Sequence, residues 1–137
     1  MFAHFLAAQA PIYVTALAEL RAGAKRSHWM WFIFPQLTAL GRSATAQRYG
    51  LEGLAAARAY LADPVLGARL KECVATVLAV EGRCAHQIFG TPDDLKFRSS
   101  ITLFEAAAED ADKPLFAAAL ERYYGGVRDP LTVDLVG

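Results

Sequence analysis

The chain has 137 residues, of which 55% are hydrophobic and 20% charged, and its formal net charge is zero. A chain of this length can bury about two-thirds of its unfolded surface in one core, and its composition excludes a disordered protein. Zero net charge argues against a general nucleic-acid binder. We therefore expect a single globular domain over residues 1–137.

The cysteine pattern and the N-terminus predict a cytoplasmic protein. Cys73 and Cys84 have no CxxC partner, so neither a disulfide framework nor a zinc module is expected. A secretory signal requires a basic region before its apolar residues, and the N-terminus of this chain has none. No window approaches about 18 apolar residues without charge, so we expect no membrane span. The sequence therefore predicts a soluble protein with no metal site.

The first predicted helix begins at Pro11 and ends at Gly23, because apolar residues recur between them at helical spacing. The following stretch, residues 29–34, is apolar on all sides, so its periodicity fits a helix or a strand. Its helical surroundings favour a helix that stops at Pro35.

Each remaining predicted helix carries a capping, proline or glycine signal at one of its ends. These helices run from Ser43 through Tyr49, from Leu54 to Leu61, from Asp63-Pro64 to about Glu81, from Cys84 to Phe89, from Thr91-Pro92 into 106–108, from Lys113-Pro114 to Gly125, and from Asp129-Pro130 for one last turn. Thr91 is predicted to cap its helix. The sequence thus predicts six to eight helices and no convincing sheet, an all-α fold.

Residues 25–36, KRSHWMWFIFPQ, which we call the aromatic segment, contain both tryptophans of the chain. Each large aromatic side chain contributes roughly 1.5–3 kcal/mol when buried, so the segment cannot lie on a wet surface. We expect Ser27 and His28 at the edge of the core and Lys25 just outside it. The segment then forms one wall of a polar pocket, with Trp29 or Trp31 stacking on or walling a ligand.

A second polar cluster lies at residues 94–100. On a helix, Lys96 lies near Ser99 and Ser100, and Asp94 reaches Arg98 four residues on. One face then presents an ammonium and two hydroxyls, which suits a phosphate or carboxylate. The alternative is an ion pair with two small residues that let another helix approach closely.

His28 is the candidate catalytic residue, because an imidazole titrates near pH ~6.5 and can shuttle a proton. The alternative is a buried neutral histidine bonded to the backbone. Ser27 and His28 diverge by about 100° on a helix, so they make a poor nucleophile–base pair, and Ser27 is more readily an N-cap. Asp129 and Thr132 can line the same pocket or simply begin a helix.

The chain resembles a small bacterial family of unknown function, DUF1810. The resemblance rests on KRSHWMWFIFPQL, on residues 60–70, on Phe89-Gly90 through residues 94–104, and on Gly125-Gly126 with Asp129 and Thr132. The matching blocks cover nearly the whole chain and occur in the same order as in the family. The resemblance implies a compact, mostly helical single domain. It implies no reaction and no cofactor.

These patterns favour binding, with or without turnover, of a small anionic or phosphate-bearing ligand between the aromatic segment and the helix of Lys96. The predicted binding residues are Lys25, Ser27, Trp29, Trp31, Gln36, Asp94, Lys96, Arg98, Ser99, Ser100, Asp129 and Thr132. The alternative is a non-catalytic interaction or structural module. In that case the residues that carry the family resemblance, which we call the signature residues, pack in the core. The two alternatives differ in whether these residues converge on one cleft.

Overall fold

The structure is a computed structural model that describes residues 2–137. Its α-helices are α1 (Ala3–Gln9), α2 (Tyr13–Arg21), α3 (Met30–Ile33), α4 (Ala44–Arg48), α5 (Leu54–Ala62), α6 (Leu66–Leu78), α7 (Ala85–Phe89), α8 (Asp93–Ala107), α9 (Lys113–Tyr124) and α10 (Pro130–Val136). Over the described residues the only β pairing is an isolated bridge between Leu37 and Leu51. The all-α prediction is confirmed, although the ten α-helices within residues 2–137 exceed the predicted six to eight. The sequence prediction missed α1.

Four helices form a closed ring around the core. Each contacts the next in the order α5, α6, α9, α8, and α8 closes the ring on α5. Helix α2 packs on α6, whereas α3, α7 and α10 pack on α8. Helix α8 is therefore central to the fold, and two of its neighbours, α3 and α10, flank the candidate site.

The sequence of α8 explains its central place. Its buried side chains lie on most of its circumference: Phe97, Ser99, Ser100, Ile101, Thr102, Leu103, Phe104 and Ala107. A helix that is buried on most sides belongs inside the domain. Its polar first turn, with Asp93 and Asp94, is left at the surface, where carboxylates favour a helix N-terminus.

Helices α5 and α6 approach closely at one glycine. A Cβ atom on Gly67 would lie 2.1 Å from the carbonyl oxygen of Leu61. That distance is far below any van der Waals contact, and the obstacle is backbone rather than a movable side chain. Gly67 is therefore required by packing between the two helices.

Two predicted helix starts are confirmed by their capping bonds. The Ser43 hydroxyl accepts from the backbone N–H of Ala46 at 3.1 Å. One carboxylate oxygen of Asp63 accepts from the N–H groups of Val65 and Leu66, both at 3.0 Å. These bonds satisfy donors that a helix start leaves free.

The prediction that Thr91 caps α8 is wrong. The helix begins at Asp93 without a side-chain capping bond, and the Thr91 hydroxyl lies 2.9 Å from Nδ1 of His86. The hydroxyl is bonded to α7 and does not reach the first turn of α8. The α7–α8 junction is thus held by a side-chain contact that spacing alone does not reveal.

The aromatic segment is helical only over α3, which ends before Pro35, as predicted. Trp29 and Phe34 are buried, with 0% and 1% of their surface exposed. The Phe34 ring lies edge-on to Phe97 at 4.9 Å and to Phe89 at 6.0 Å between centroids. The segment therefore packs directly against α7 and α8. None of the helices in residues 2–137 is long and apolar enough to cross a membrane.

Candidate functional site

Glu19 of α2 holds the start of the aromatic segment in place. Its carboxylate accepts from the backbone N–H groups of Arg26 (2.8 Å) and Ser27 (2.9 Å). It also accepts from the Ser27 hydroxyl (2.6 Å) and from the indole N–H of Trp29 (2.9 Å). Burial by itself would raise the pKa of Glu19, but these hydrogen bonds outweigh it and lower the pKa to about 2.

This arrangement corrects two expectations for the segment. Ser27 caps no helix, because its hydroxyl and N–H both bind Glu19. Trp29 cannot stack on a ligand, because its side chain is fully buried and its indole N–H is already bonded. Glu19 was not among the predicted site residues. Its only sequence signal is that it is the one acid among residues 1–50.

Asp93, the first residue of α8, binds two lysines. One of its carboxylate oxygens lies 2.8 Å from the ammonium of Lys25, and the other lies 3.3 Å from that of Lys96. The Lys25 side chain is 7% exposed and also donates to the carbonyl of Ser27 at 2.7 Å. Lys25 therefore joins the aromatic segment to α8. The expectation that it lies just outside the core is wrong, because its side chain is nearly buried.

An open cleft lies beside Lys96. It has a volume of about 230 Å³ and is formed by α3, the turn at residues 38–41, the start of α8 and the start of α10. Its lining residues are Trp31, Gln36, Leu40, Gly41, Pro92, Leu95, Lys96, Ser99, Asp129 and Leu131. The cleft thus lies between the aromatic segment and α8, the position that the sequence predicted for a pocket.

Lys96 and Trp31 are neighbours among the residues that line the cleft. The Lys96 ammonium lies 3.9 Å from the centroid of the Trp31 ring, a distance at which a cation is attracted to the ring face. The Lys96 side chain remains 22% exposed, three times the fraction of Lys25. Part of the Lys96 side chain therefore remains open to solvent.

Two polar side chains flank this pair. The Ser99 hydroxyl donates to the carbonyl of Leu95 at 3.1 Å, so its oxygen is free to accept. The Gln36 side chain makes no hydrogen bond within residues 2–137, so its amide can donate. The cleft thus offers one cation, one hydroxyl oxygen and one amide.

Asp129 lies at the α10 side of the cleft. Its Oδ2 atom accepts from the N–H of Thr132 at 3.1 Å and from the Thr132 hydroxyl at 2.5 Å. Its backbone N–H donates to the Thr102 hydroxyl of α8 at 3.0 Å. These bonds fix Asp129 against α8. Thr132 is fully buried and binds the capping residue of α10, so it does not line the cleft.

Other predicted site residues do not line the cleft. His28 is exposed elsewhere on the surface. Asp94 does not pair with Arg98; it lies 3.7 Å from Nδ1 of His86. Arg98 donates to the carbonyls of Val127 and Arg128, because these fold back over α8. Its guanidinium is thereby used to hold the chain before α10.

Ser99 and Ser100 have different environments. Ser99 reaches the cleft, whereas Ser100 is fully buried and its hydroxyl has no partner within residues 2–137. The sequence predicted that both hydroxyls would lie on one face with the Lys96 ammonium, but only Ser99 lines the cleft. Small side chains at these positions also allow α8 to be packed on most sides, the alternative that the sequence left open.

The sequence missed the apolar half of the cleft. Leu95 and Leu131 are 55% and 64% exposed, and both line it. An exposed leucine in a helix carries no distinctive sequence signal, because its neighbours, such as Asp94 and Lys96, read as an ordinary polar face. Only the packing of α10 on α8 brings these two leucines to one opening.

A larger cavity of about 820 Å³ lies between α5, α6, α8 and α9. Its cations include Lys71 and Lys113. Lys71 pairs with Asp112 at 3.4 Å, and Lys113 donates to the carbonyl of Glu105 at 2.8 Å, near the end of α8. Lys71 and Lys113 thus serve a surface ion pair and a helix end. The third lining cation, Arg58, is an exposed side chain at the edge of the cavity.

The described residues form an all-helical fold with a small amphipathic cleft at the start of α8. The chain belongs to the family described as protein of unknown function (DUF1810), which it matches over residues 1–136. Among solved structures it is similar to the conserved hypothetical protein Rv1873 from Mycobacterium tuberculosis, whose crystal structure was determined at 1.38 Å. The two chains are 52% identical with a TM-score of 0.94, over 97% of this chain and 94% of that one. No curated protein matches the chain.

Proposed function

We propose that this protein binds a small ligand through an anionic group, which meets Lys96 in the cleft between the aromatic segment and α8. The observation that carries the proposal is the position of the Lys96 side chain, which is 22% exposed and holds its ammonium 3.9 Å from the centroid of the Trp31 ring. A cation held on an aromatic face and open on one side is a ready partner for a carboxylate or phosphate oxygen.

The two ion pairs of Asp93 support this role for Lys96. Lys25 lies closer to Asp93 than Lys96 does, 2.8 Å against 3.3 Å, and is far less exposed. An incoming anion can therefore bind Lys96 while Asp93 keeps its buried partner. The ligand would add to the ion pair and would not break the link between the aromatic segment and α8.

The size of the cleft limits the ligand. Ligand pockets usually measure about 300–1,000 Å³, and this cleft measures about 230 Å³. A whole nucleotide would extend beyond it. A single carboxylate or phosphate group with a short attached body fits, with the Gln36 amide as a second donor.

The proposal is for binding without a catalytic step. Catalysis by His28 stays a prediction of the sequence that the cleft does not support, because His28 does not line it. The cleft offers no nucleophile with a base beside it, since Ser99 donates to a backbone carbonyl and not to a histidine.

The second candidate is a non-catalytic interaction or structural module. It is favoured by the buried signature residues Trp29, Ser100 and Thr132, and by exposed apolar side chains on and beside α10, among them Leu131 and Leu135. If this alternative holds, no small anion will stabilise the protein.

Thermal unfolding in the presence of isocaproate, an apolar carboxylate, and of inorganic phosphate separates the two candidates. A ligand at about 100 times its Kd adds about 2.7 kcal/mol to the stability of the folded state. We expect at least one of the two anions to raise the melting temperature of the wild type and to leave Lys96→Met unchanged. Methionine keeps an unbranched apolar side chain beside Trp31 and removes the charge, together with the ion pair to Asp93.

Lys71→Met is the matched control, because Lys71 is also an ion-paired lysine but lies away from the cleft. It should respond to the anion as the wild type does. A response that Lys96→Met retains, or no response to either anion, contradicts the proposed function.

A further inference from the structure

The residues that line the cleft include an aspartate as well as a lysine. Lys96 lines it from α8 and Asp129 from the start of α10. Over residues 2–137 the two groups form no ion pair with each other; Lys96 pairs with Asp93 and Asp129 binds Thr132. Both hydrogen bonds of the Asp129 carboxylate fall on Oδ2, so Oδ1 remains able to accept. Two opposite charges thus line one opening without neutralising each other.

We propose that the ligand is a zwitterion, a free apolar amino acid, whose carboxylate meets Lys96 and whose ammonium meets Asp129. This inference rests on the proposed function, because it uses the same cleft and the same cation. A ligand with only an anionic group would gain Lys96 but would be repelled by Asp129 at the other side of a small opening. A ligand that carries both charges satisfies both residues.

The rigidity of Asp129 supports this assignment. Its carboxylate is fixed by two hydrogen bonds from Thr132, and its backbone is fixed by the buried Thr102 hydroxyl. Lys96 is likewise held between Asp93 and the Trp31 ring. Groups that are already held in position lose little freedom when a ligand binds, so each charged contact can add to affinity.

The remaining walls select the side chain of the amino acid. Trp31, Leu40, Leu95 and Leu131 supply apolar surface around the two charges. Leu95 and Leu131 are more than half exposed, and an apolar ligand side chain would cover part of both. At about 30 Å³ for each water molecule, the volume of about 230 Å³ holds roughly eight waters. That space matches the size of one amino acid.

Calorimetric titration with matched probes tests the inference. The probes are L-leucine and L-phenylalanine, their counterparts without the amino group, isocaproate and hydrocinnamate, and their counterparts without the carboxylate, isoamylamine and phenethylamine. Because each charged contact is worth a factor of about ten or more, we expect at least one amino acid to bind about tenfold more tightly than either of its two counterparts.

Asp129→Asn isolates the ammonium contact. Asparagine caps helices as well as aspartate does, so the start of α10 is retained while the charge is removed. We expect the affinity for the amino acid to fall about tenfold, to the level of its deaminated counterpart, whose own affinity is unchanged or higher. Asp134→Asn, at an exposed position of the same helix, is the control and should bind as the wild type does. Melting temperatures verify that both variants are folded.

Three results overturn the inference. If the deaminated acid binds as tightly as the amino acid, the cleft takes a simple anion, so the proposed function stands and the zwitterion does not. If Asp129→Asn binds the amino acid as the wild type does, Asp129 is not its partner. If no amino acid and no acid binds, the inference and the proposed function both fail.

Discussion

Asp93 and Lys25 form an ion pair, 2.8 Å between oxygen and nitrogen, that ties the first turn of α8 to the aromatic segment. The Lys25 side chain is 7% exposed, so this carboxylate rather than water is the main partner of its ammonium. Removing one partner of a buried pair typically costs 3–5 kcal/mol. Asp93 is itself 20% exposed, so we expect Asp93→Asn to lower the free energy of unfolding by about 2–3 kcal/mol.

Lys96→Met is the control for that experiment, because it removes the other ion pair of the same carboxylate. That pair is longer, 3.3 Å, and more exposed, so its loss should cost about 1 kcal/mol or less. Chemical denaturation measures both variants. Equal losses would contradict the assignment of Lys25 to the fold and of Lys96 to the cleft.

Glu19 should make the stability of the protein depend on pH at the acid end. The hydrogen bonds from the aromatic segment lower its pKa in the folded state to about 2, against 4.5 for a free side chain. Its contribution is therefore complete above pH about 4.5 and is lost as the pH falls towards about 2. We measure the free energy of unfolding at a series of pH values. Across this range it should fall less steeply for Glu19→Gln than for the wild type. Parallel pH profiles would mean that the carboxylate is not held as described.

Phe34 is an anchor of the core. Its ring is 1% exposed and contacts the rings of Phe89 and Phe97, so Phe34→Ala should cost about 3–5 kcal/mol through lost burial and the cavity left behind. Phe32→Ala is the matched control, because Phe32 belongs to the same segment but is only partly buried. Chemical denaturation should give Phe32→Ala the smaller loss, and the reverse order would contradict this packing.

Gly67 should tolerate no side chain. The carbonyl oxygen of Leu61 occupies the space that a Cβ would need, so Gly67→Ala must push α5 and α6 apart, at a cost of about 2 kcal/mol. At Gly53 an added Cβ meets nothing within 4 Å, and its backbone is extended, with φ at 179°. Gly53→Ala should therefore stay within about 0.5 kcal/mol of the wild type. The measurement is again the free energy of unfolding.

Much of the fold could be predicted because its signals are local. Ser43 and Asp63 mark helix starts by capping chemistry that acts within three residues, and Pro35 marks an end. Helix α1 was missed because it lacks such a start: Phe2 precedes it and provides no side-chain capping bond. Its place depends on tertiary contacts, among them the bond from Gln9 to the carbonyl of Phe32.

The candidate site was predictable in part, for a related reason. Five of the predicted binding residues line one cleft in the structure: Trp31, Gln36, Lys96, Ser99 and Asp129. The burial of Lys25 could not be predicted, because it depends on Asp93 far along the chain. Spacing within one helix suggested an Asp94–Arg98 pair, but the chain around Val127 competes for that guanidinium.

The two tryptophans provide the most direct test of ligand binding in the cleft. In an NMR titration with L-leucine and, separately, with isocaproate, the indole N–H signal of Trp31 reports on the cleft. The signal of Trp29, which is buried and bonded to Glu19, serves as an internal reference. We expect the Trp31 signal to move in a saturable way with at least one of the two ligands, while the Trp29 signal stays nearly unchanged. In Lys96→Met the Trp31 signal should no longer move. A Trp31 signal that is unaffected by both ligands, or that moves equally in Lys96→Met, would contradict the account.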